Sequence, residues 1–216
     1  MGKPQKTVDY FRNTYFKPEN LPNPANLPVV EQWPTILNMI ERNAVTIIVG
    51  STGCGKSTQI PQLLLEEKIY RQEKACNIVV TQPRRVAAIS VAKHVANYRK
   101  WPYGSICGHQ VGFDYCISAD SRLKYVTTEL LLYSIIALRS RSEYTHIIVD
   151  EIHERTEPMD CLLYVLKKAL LENEDNAEDA SCMPCPKIIL MSATVETDTY
   201  KNYFGNERCA TFYIKG

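Results

Sequence analysis

Gly50-Ser51-Thr52-Gly53-Cys54-Gly55-Lys56-Ser57 follows directly on the apolar run Val45-Thr46-Ile47-Ile48-Val49, and this stretch decides the fold. It matches the pattern G-x-x-x-x-G-K-[ST], whose glycines let backbone N–H groups converge on phosphate oxygens. The β-branched run is typical of a strand buried on both faces, and helix-forming residues follow the loop. The alternative is a glycine-rich turn without a ligand, but such a turn would not require a strand before it and a helix after it. The stretch therefore predicts a phosphate-binding loop.

The residue types in this loop predict a role for each part of it. Lys56 is expected to reach the β- and γ-phosphates of a nucleotide, and the Ser57 hydroxyl to bind Mg²⁺. The positive end of the helix that follows adds to the same field. The predicted contacts with ATP come from Gly50, Ser51, Thr52, Gly53, Cys54, Gly55, Lys56, Ser57 and Thr58.

A second acidic motif, Ile147-Ile148-Val149-Asp150-Glu151, ends another apolar run. A carboxylate in this position is the expected partner of Mg²⁺, partly through water, so Ser57, Asp150 and Glu151 form the predicted metal site. Glu151 is also placed to accept a proton from the water that attacks the γ-phosphate. A kinase with such a loop, which transfers the phosphoryl group to an acceptor other than water, would not need a second acid to activate water. The pair therefore predicts nucleotide hydrolysis.

Strand and helix patterns alternate along the chain. Strands are predicted at Val45–Val49, Ile78–Thr81, Leu123–Thr127, His146–Val149 and Ile188–Met191. Helices are predicted near 31–42, 56–70, 84–98, 128–139 and 158–171. This order indicates right-handed crossovers, and hence an α/β fold with a mostly parallel sheet and helices on both faces.

Composition limits the classes of function. The chain has 216 residues, with 25 Lys and Arg against 24 Asp and Glu and a net charge of +1. This length suits one ordinary domain or one lobe of a larger protein. The near-zero charge excludes a globally basic nucleic-acid binder, although it allows a local basic groove. No apolar run reaches the roughly 18 residues of a membrane span, so we expect no membrane partner.

The proline pattern divides the chain. Residues 1–28 form a predicted Pro-rich leader without a long helix, which Tyr10, Phe11, Tyr15 and Phe16 are expected to hold against the core. Residues 29–216 form the predicted domain, with an acidic surface loop at 172–186.

Cysteine usage bears on the compartment. The chain has eight cysteines and no secretory leader, which favours free thiols and a cytoplasmic location. Cys182 and Cys185 form a Cys-x-x-Cys pair, but no second pair at zinc spacing accompanies it. Two loop thiols are therefore favoured over a metal site.

The run Asp150-Glu151-Ile152-His153-Glu154-Arg155 resembles the D-E-x-H-E-R box of the DEAH/DExH RNA helicases of superfamily 2. Other segments resemble that family's motifs in the same order. Thr81–Ala88 resembles motif Ia, Thr127–Leu131 occupies the place of motif Ib, and Ser192–Thr194 resembles motif III. Leu27–Val29 is similar to the entry into the family's first helix. The likeness runs from about residue 27 to the end of the chain.

The resemblance implies the first RecA-like lobe of an ATP-dependent motor. It also implies that the same protein carries a second RecA-like lobe and C-terminal domains, and that single-stranded RNA is a partner. Arg84, Arg85, Thr127 and Thr128 would contact RNA phosphates. Ser192 and Thr194 would couple the ATP site to RNA movement. His153 would bridge the acidic box to neighbouring motifs.

Three positions depart from the family pattern. Ile152 stands in the acidic box where Ala or Val is commoner, a change in apolar volume that should be tolerated. His94 falls where relatives often stack an arginine on adenine, so the resemblance implies weak base selectivity at this site. Glu129 stands where a glycine is common. Because a carboxylate would repel RNA phosphates, we expect the Glu129 side chain to turn into the lobe.

The text around the acidic box resembles a germline branch of the family whose longer members carry a Tudor domain. This likeness is carried by Tyr144–Ile147, Glu154–Asp160 and Val79–Arg84. It implies piRNA-directed transposon silencing, proteins of that pathway as partners, and perinuclear germ granules (nuage) as the location.

Three alternatives remain open. A DEAD-box enzyme would use an adenine-reading glutamine upstream of the phosphate loop, and Gln32 is the candidate for that role, although the surrounding pattern and His153 followed by Glu154-Arg155 argue against it. A DExH helicase of general RNA metabolism would carry the same motifs. An RNA–protein scaffold that binds nucleotide without useful turnover would keep Lys56, Asp150 and Glu151 as well.

Overall fold

One eight-stranded sheet carries the fold in the computed structural model, which describes residues 6–17, 26–138, 143–175, 185–194 and 197–215. The strands are β1 (Val45–Val49), β2 (Ile78–Gln82), β3 (Cys107–Val111), β4 (Asp114–Cys116), β5 (Leu123–Thr127), β6 (His146–Val149), β7 (Lys187–Ser192) and β8 (Cys209–Tyr213). The helices are α1 (Val8–Tyr15), α2 (Pro28–Glu31), α3 (Trp33–Arg42), α4 (Lys56–Glu66), α5 (Arg85–Tyr98), α6 (Thr128–Leu138), α7 (Glu157–Asp175) and α8 (Asp198–Phe204). A π-helical turn, Glu67–Arg71, extends α4.

The strands lie in the order β4-β3-β5-β2-β6-β7-β1-β8, and every neighbouring pair is parallel except β3 with β4. All five residues of β1 are buried, as the β-branched run predicts. The predicted α/β class with a mostly parallel sheet is therefore confirmed.

Helices cover both faces of the sheet because side chains alternate along each strand. Ile48 packs into a core with α1, α3, α4 and α5, whereas its neighbour Ile47 packs into a second core with α6, α7 and α8. Among the described residues, no helix is both long enough and apolar enough to cross a bilayer.

Three strands lie outside the predicted set: β3, β4 and β8. Their sequences lack the apolar pattern of a buried strand. For example, β3 reads Cys-Gly-His-Gln-Val and has few apolar residues. Gly108 is required there by a close backbone approach, because a Cβ on it would lie 2.0 Å from the Cys116 carbonyl oxygen. His109 is buried and contacts Tyr103 and Asp114. Tertiary contacts thus make a strand from residues that local pattern does not favour.

The leader packs onto the domain through α1, whose eight residues are compatible with the prolines around it. Phe11, Tyr15 and Phe16 are buried, as predicted, while Tyr10 lies at the edge of the contact. The Asp120 carboxylate accepts hydrogen bonds from the Tyr15 hydroxyl at 2.8 Å and the Tyr10 hydroxyl at 2.9 Å. The boundary at residue 28 stays a prediction.

Two other expectations need correction or qualification. The Glu129 side chain is exposed, so the expectation that it turns into the lobe is wrong. A carboxylate in the first turn of α6 is stabilised there by the helix dipole while it remains solvated. The predicted acidic loop begins within a helix, because α7 continues to Asp175. Residues 176–184, which include Cys182, lie outside the described residues.

Candidate functional site

The candidate site lies along one edge of the sheet. Parallel strands end at the same edge, so the residues that follow β1, β2, β5, β6 and β7 meet there, which is where ligands bind in open α/β sheets. This edge carries the phosphate loop, both predicted RNA motifs, the acidic box and the Ser192–Thr194 segment.

The phosphate loop turns tightly between β1 and α4. Gly53 and Gly55 have φ values of +85° and +97°, a left-handed conformation that side chains disfavour. A Cβ on Gly55 would also lie 2.9 Å from the Val29 side chain, so this glycine is required twice over. The Lys56 ammonium group donates to the carbonyls of Gly50 at 2.5 Å and Ser51 at 3.1 Å. A bound phosphate would compete with these carbonyls for the lysine.

Asp150 is fully buried at the end of β6, and both of its carboxylate oxygens accept hydrogen bonds. The Gln82 amide donates to Oδ2 at 2.5 Å, and the Glu151 backbone N–H donates to Oδ1 at 2.9 Å. Burial raises the pKa of Asp150 to about 6, the Ser57 hydrogen bond opposes this rise, and the neighbouring Glu151 charge adds to it. Ser57 and Asp150 therefore meet, as the predicted metal site requires.

Glu151 begins a strained turn. Its φ is +55°, and that of Arg155 is +46°, with a short 3₁₀ turn at Ile152–Glu154 between them. Backbone of this kind costs on the order of 1–3 kcal/mol per residue and is common at functional sites. Ile152 is fully buried and anchors the turn.

His153 lies between the acidic box and the Ser192–Thr194 segment, as a bridging role would require. Its Nδ1 is 3.4 Å from Glu151 Oε2 and accepts from the Ala193 N–H at 3.5 Å. Ser192 in turn accepts from the Gly50 N–H at 3.1 Å through its carbonyl. Its Oγ also accepts from the Thr194 N–H at 3.1 Å. One short chain of contacts thus links β7, the box and the phosphate loop.

The predicted RNA residues differ in exposure. The Arg84 side chain is 77% exposed, with Nη2 3.3 Å from Glu154, and Arg85 is also exposed. Thr127 and Thr128 are buried at 7% and 1% exposure. Their hydroxyls are therefore not exposed to a phosphate, and the backbone N–H groups that open a helix are the usual phosphate donors in such a segment.

Two residues at this edge were missed by the sequence reasoning. Gln82 contacts Asp150, as described above, and Phe113 is fully exposed at the tip of the β3–β4 hairpin. Arg85 donates to the Val111 carbonyl at 3.2 Å, which ties this hairpin to the predicted RNA surface. The apolar pattern alone could not have found Phe113, because it lies in a turn between unpredicted strands.

His94 lies on the exposed side of α5, and its ring stacks on Tyr98 with 6.4 Å between ring centroids. The pair is accessible to a planar ligand. The adenine contact that the family resemblance implies for His94 stays a prediction.

The oxygen ligands at this edge fit Mg²⁺. This ion prefers oxygen ligands and is usually bound by one or two carboxylates together with phosphate oxygens. Ser57 and Asp150 supply a hydroxyl and a buried carboxylate that already meet, and the Glu151 carboxylate follows at the next position. The Tyr125 hydroxyl steadies the Ser57 segment by donating to the Ser57 carbonyl at 3.1 Å.

A model of the DEAD/DEAH box helicase family matches residues 31–203, the part that contains every motif of the site except the entry segment. The chain belongs to the DEAD/DEAH box helicase family. This helicase domain is similar to proteins described as probable ATP-dependent RNA helicase spindle-E. Identity is 42% over 205 residues with the Drosophila pseudoobscura pseudoobscura protein, which is 94% of this chain and 13% of that protein. It is 45% over 178 residues with the Aedes aegypti protein, 82% of this chain and 12% of that protein.

These matches confirm the resemblance to RNA helicases and to the spindle-E proteins among them. The chain spans about an eighth of the length of the curated relatives it matches.

Proposed function

We propose that this helicase domain binds ATP with Mg²⁺ and hydrolyses it as the first RecA-like lobe of a longer RNA helicase. The observation that carries this proposal is the buried Asp150, hydrogen-bonded to Ser57 of the phosphate loop and followed by Glu151. A phosphate loop alone would indicate nucleotide binding. A second carboxylate on a strained turn beside it indicates attack by water.

Binding of the triphosphate uses the loop and the start of α4. Lys56 would exchange the Gly50 and Ser51 carbonyls for phosphate oxygens, which are stronger acceptors for a cation. Backbone N–H groups of the loop and of the first turn of α4 face the same anion. Mg²⁺, held by Ser57, Asp150 and Glu151, partly through water, would neutralise phosphate charge.

Glu151 acts as the general base for the attacking water. Its position next to Asp150 places it on the nucleotide side of the sheet edge, and His153 limits the directions that its carboxylate can take. Arginines that stabilise the transition state are worth several powers of ten in related NTPases. We expect these arginines on the second lobe, so hydrolysis by this lobe alone should be slow.

Single-stranded RNA would lie across the same edge, over Arg84, Arg85 and the start of α6. Phosphate contacts of this kind set register without selecting sequence. Phe113 adds an exposed aromatic ring on which a base can stack. A lobe with a net charge of +1 should bind RNA weakly, and the second lobe and C-terminal domains complete the site.

The test compares ATPase activity of the full-length protein with and without single-stranded RNA, for the natural sequence and for Glu151→Gln. We expect RNA-stimulated turnover that the substitution abolishes. Equal, near-background rates in both proteins would favour the scaffold alternative. The DEAD-box alternative needs Gln32 at the adenine, yet its amide donates to the Pro28 and Lys215 carbonyls and accepts from the Lys215 N–H.

We further propose that the full-length protein acts in piRNA-directed transposon silencing, in cytoplasmic, perinuclear granules of germ cells and without a membrane partner. Similarity to spindle-E proteins and to the germline branch supports this. Removal of the protein from germ cells should raise transposon transcripts and deplete piRNAs. Unchanged transposon transcripts with altered processing of other RNAs would favour general RNA metabolism.

A further inference from the structure

Gln82 joins two parts of the site that the proposed function treats separately. It is the last residue of β2 and is 3% exposed. Its amide Nε2 lies 2.5 Å from Asp150 Oδ2. Arg84, two residues further along, is the exposed cap of α5 at the predicted RNA surface. Only Pro83 separates the residue that contacts the metal-side carboxylate from the residue predicted to contact RNA.

Because Asp150 is buried, its carboxylate depends on hydrogen bonds from the protein. A carboxylate with no exposed surface needs a donor on each oxygen, because a buried acceptor without a partner costs the free energy of its lost hydration. The Asp150 carboxylate accepts hydrogen bonds from the Glu151 N–H in the acidic box and from the Ser57 hydroxyl in the phosphate loop. Gln82 supplies a donor to Oδ2 with no charge of its own, so it orients the carboxylate without neutralising it.

Gln82 lies in the sheet at a position where movement of the RNA-contacting segment could reach Asp150. Strand β2 lies between β5 and β6, and Gln82 pairs across the ladder with Thr127, the residue before α6. A shift of the segment Gln82–Arg85 on RNA binding would therefore move the donor on Asp150. We propose that Gln82 is a positioning residue that holds Asp150 in its metal-binding orientation and couples RNA contact at Arg84 and Arg85 to the nucleotide site.

This proposal rests on the proposed function, so its test has two parts. The first measures binding of fluorescent ADP to the full-length protein, with and without Mg²⁺ and without RNA, for Gln82→Leu. The gain in affinity that Mg²⁺ provides should fall about tenfold or more, the effect of losing a charge-assisted hydrogen bond. Thr81→Val is the matched control, since Thr81 is the adjacent buried residue and its hydroxyl has no hydrogen-bond partner among the described residues. A leucine variant that keeps the full Mg²⁺ gain would overturn the proposal.

The second part measures how strongly single-stranded RNA stimulates ATPase activity, together with RNA affinity by fluorescence anisotropy. We expect Gln82→Leu to lose the stimulation while its RNA affinity stays within about twofold of the natural protein. Stimulation retained at its natural ratio would refute the coupling. Failure of the proposed function looks different, because the natural protein and Thr81→Val would then both lack stimulation. Thermal unfolding checks the fold, and Gln82→Asn replaces the leucine variant should that one unfold.

Discussion

Substitution of His146 by asparagine should remove an acid sensitivity from this helicase domain. His146 begins β6, is 5% exposed and has its Nδ1 2.9 Å from the Thr145 hydroxyl. Burial, helped by the positive charges of Lys68 and Lys187 and opposed by Glu41, lowers its pKa to about 3. The folded chain therefore keeps this imidazole neutral at pH values where an exposed histidine takes a proton.

The sign and size follow from linkage. In the unfolded chain His146 has an ordinary pKa of about 6.5. At about pH 7.5 both states are neutral, and the residue adds no pH dependence. Below pH 6.5 the unfolded chain binds a proton that the folded chain refuses, so stability falls steadily as the pH approaches 3. At about pH 5 the loss is about 2 kcal/mol, from roughly 1.4 kcal/mol for each pH unit below 6.5.

Urea unfolding at about pH 7.5 and about pH 5 measures this directly. With a slope of about 2 kcal/mol per molar urea, the midpoint of the natural domain should fall by about 1 M more than that of His146→Asn. Comparing the two pH values within each protein cancels the constant cost of the substitution. Subtracting the variant cancels the other titrating groups. Midpoints that fall in parallel would show that His146 does not carry the sensitivity.

Three further predictions concern the site, the core and the leader. Glu151→Gln should lower RNA-stimulated ATP turnover of the full-length protein by about a hundredfold or more while lowering nucleotide affinity far less, since Ser57 and Asp150 remain to hold the metal, and equal losses in both would contradict its role as a base. Arg99→Met should destabilise the domain by about 1.5–3 kcal/mol in urea unfolding, because Arg99 is 1% exposed and donates to Glu66 at 2.5 Å, and its loss leaves that carboxylate only the Arg71 guanidinium, 3.5 Å away. Tyr15→Phe should cost about 1 kcal/mol through the lost hydrogen bond to Asp120, and an unchanged midpoint would mean that the leader contact is apolar alone.

Local pattern predicted the strands that are buried on both faces, because there sequence and environment agree. Strands β1, β5 and β6 begin and end where the apolar runs do. It failed at β3 and β8, where neighbouring strands and helices supply the burial and local residues need not. The prediction for Glu129 also failed. It considered only the repulsion between the carboxylate and RNA phosphates, whereas a carboxylate in the first turn of a helix is stabilised by the helix dipole while it stays in water. The acidic box and phosphate loop were predictable because their chemistry needs particular side chains at particular spacing.

Gln82 shows what would have been needed to predict the whole site. Residues 82 and 150 meet because β2 and β6 are neighbours in a register that pairs Thr81 with Val149. Given that register, the next residues on the two strands are Gln82 and Asp150, and a short polar contact between them follows from strand spacing. Both strands were predicted from their apolar runs, but nothing local to either one says that they are adjacent. The missing quantity is therefore strand order, which depends on how whole helices pack over the sheet rather than on any motif.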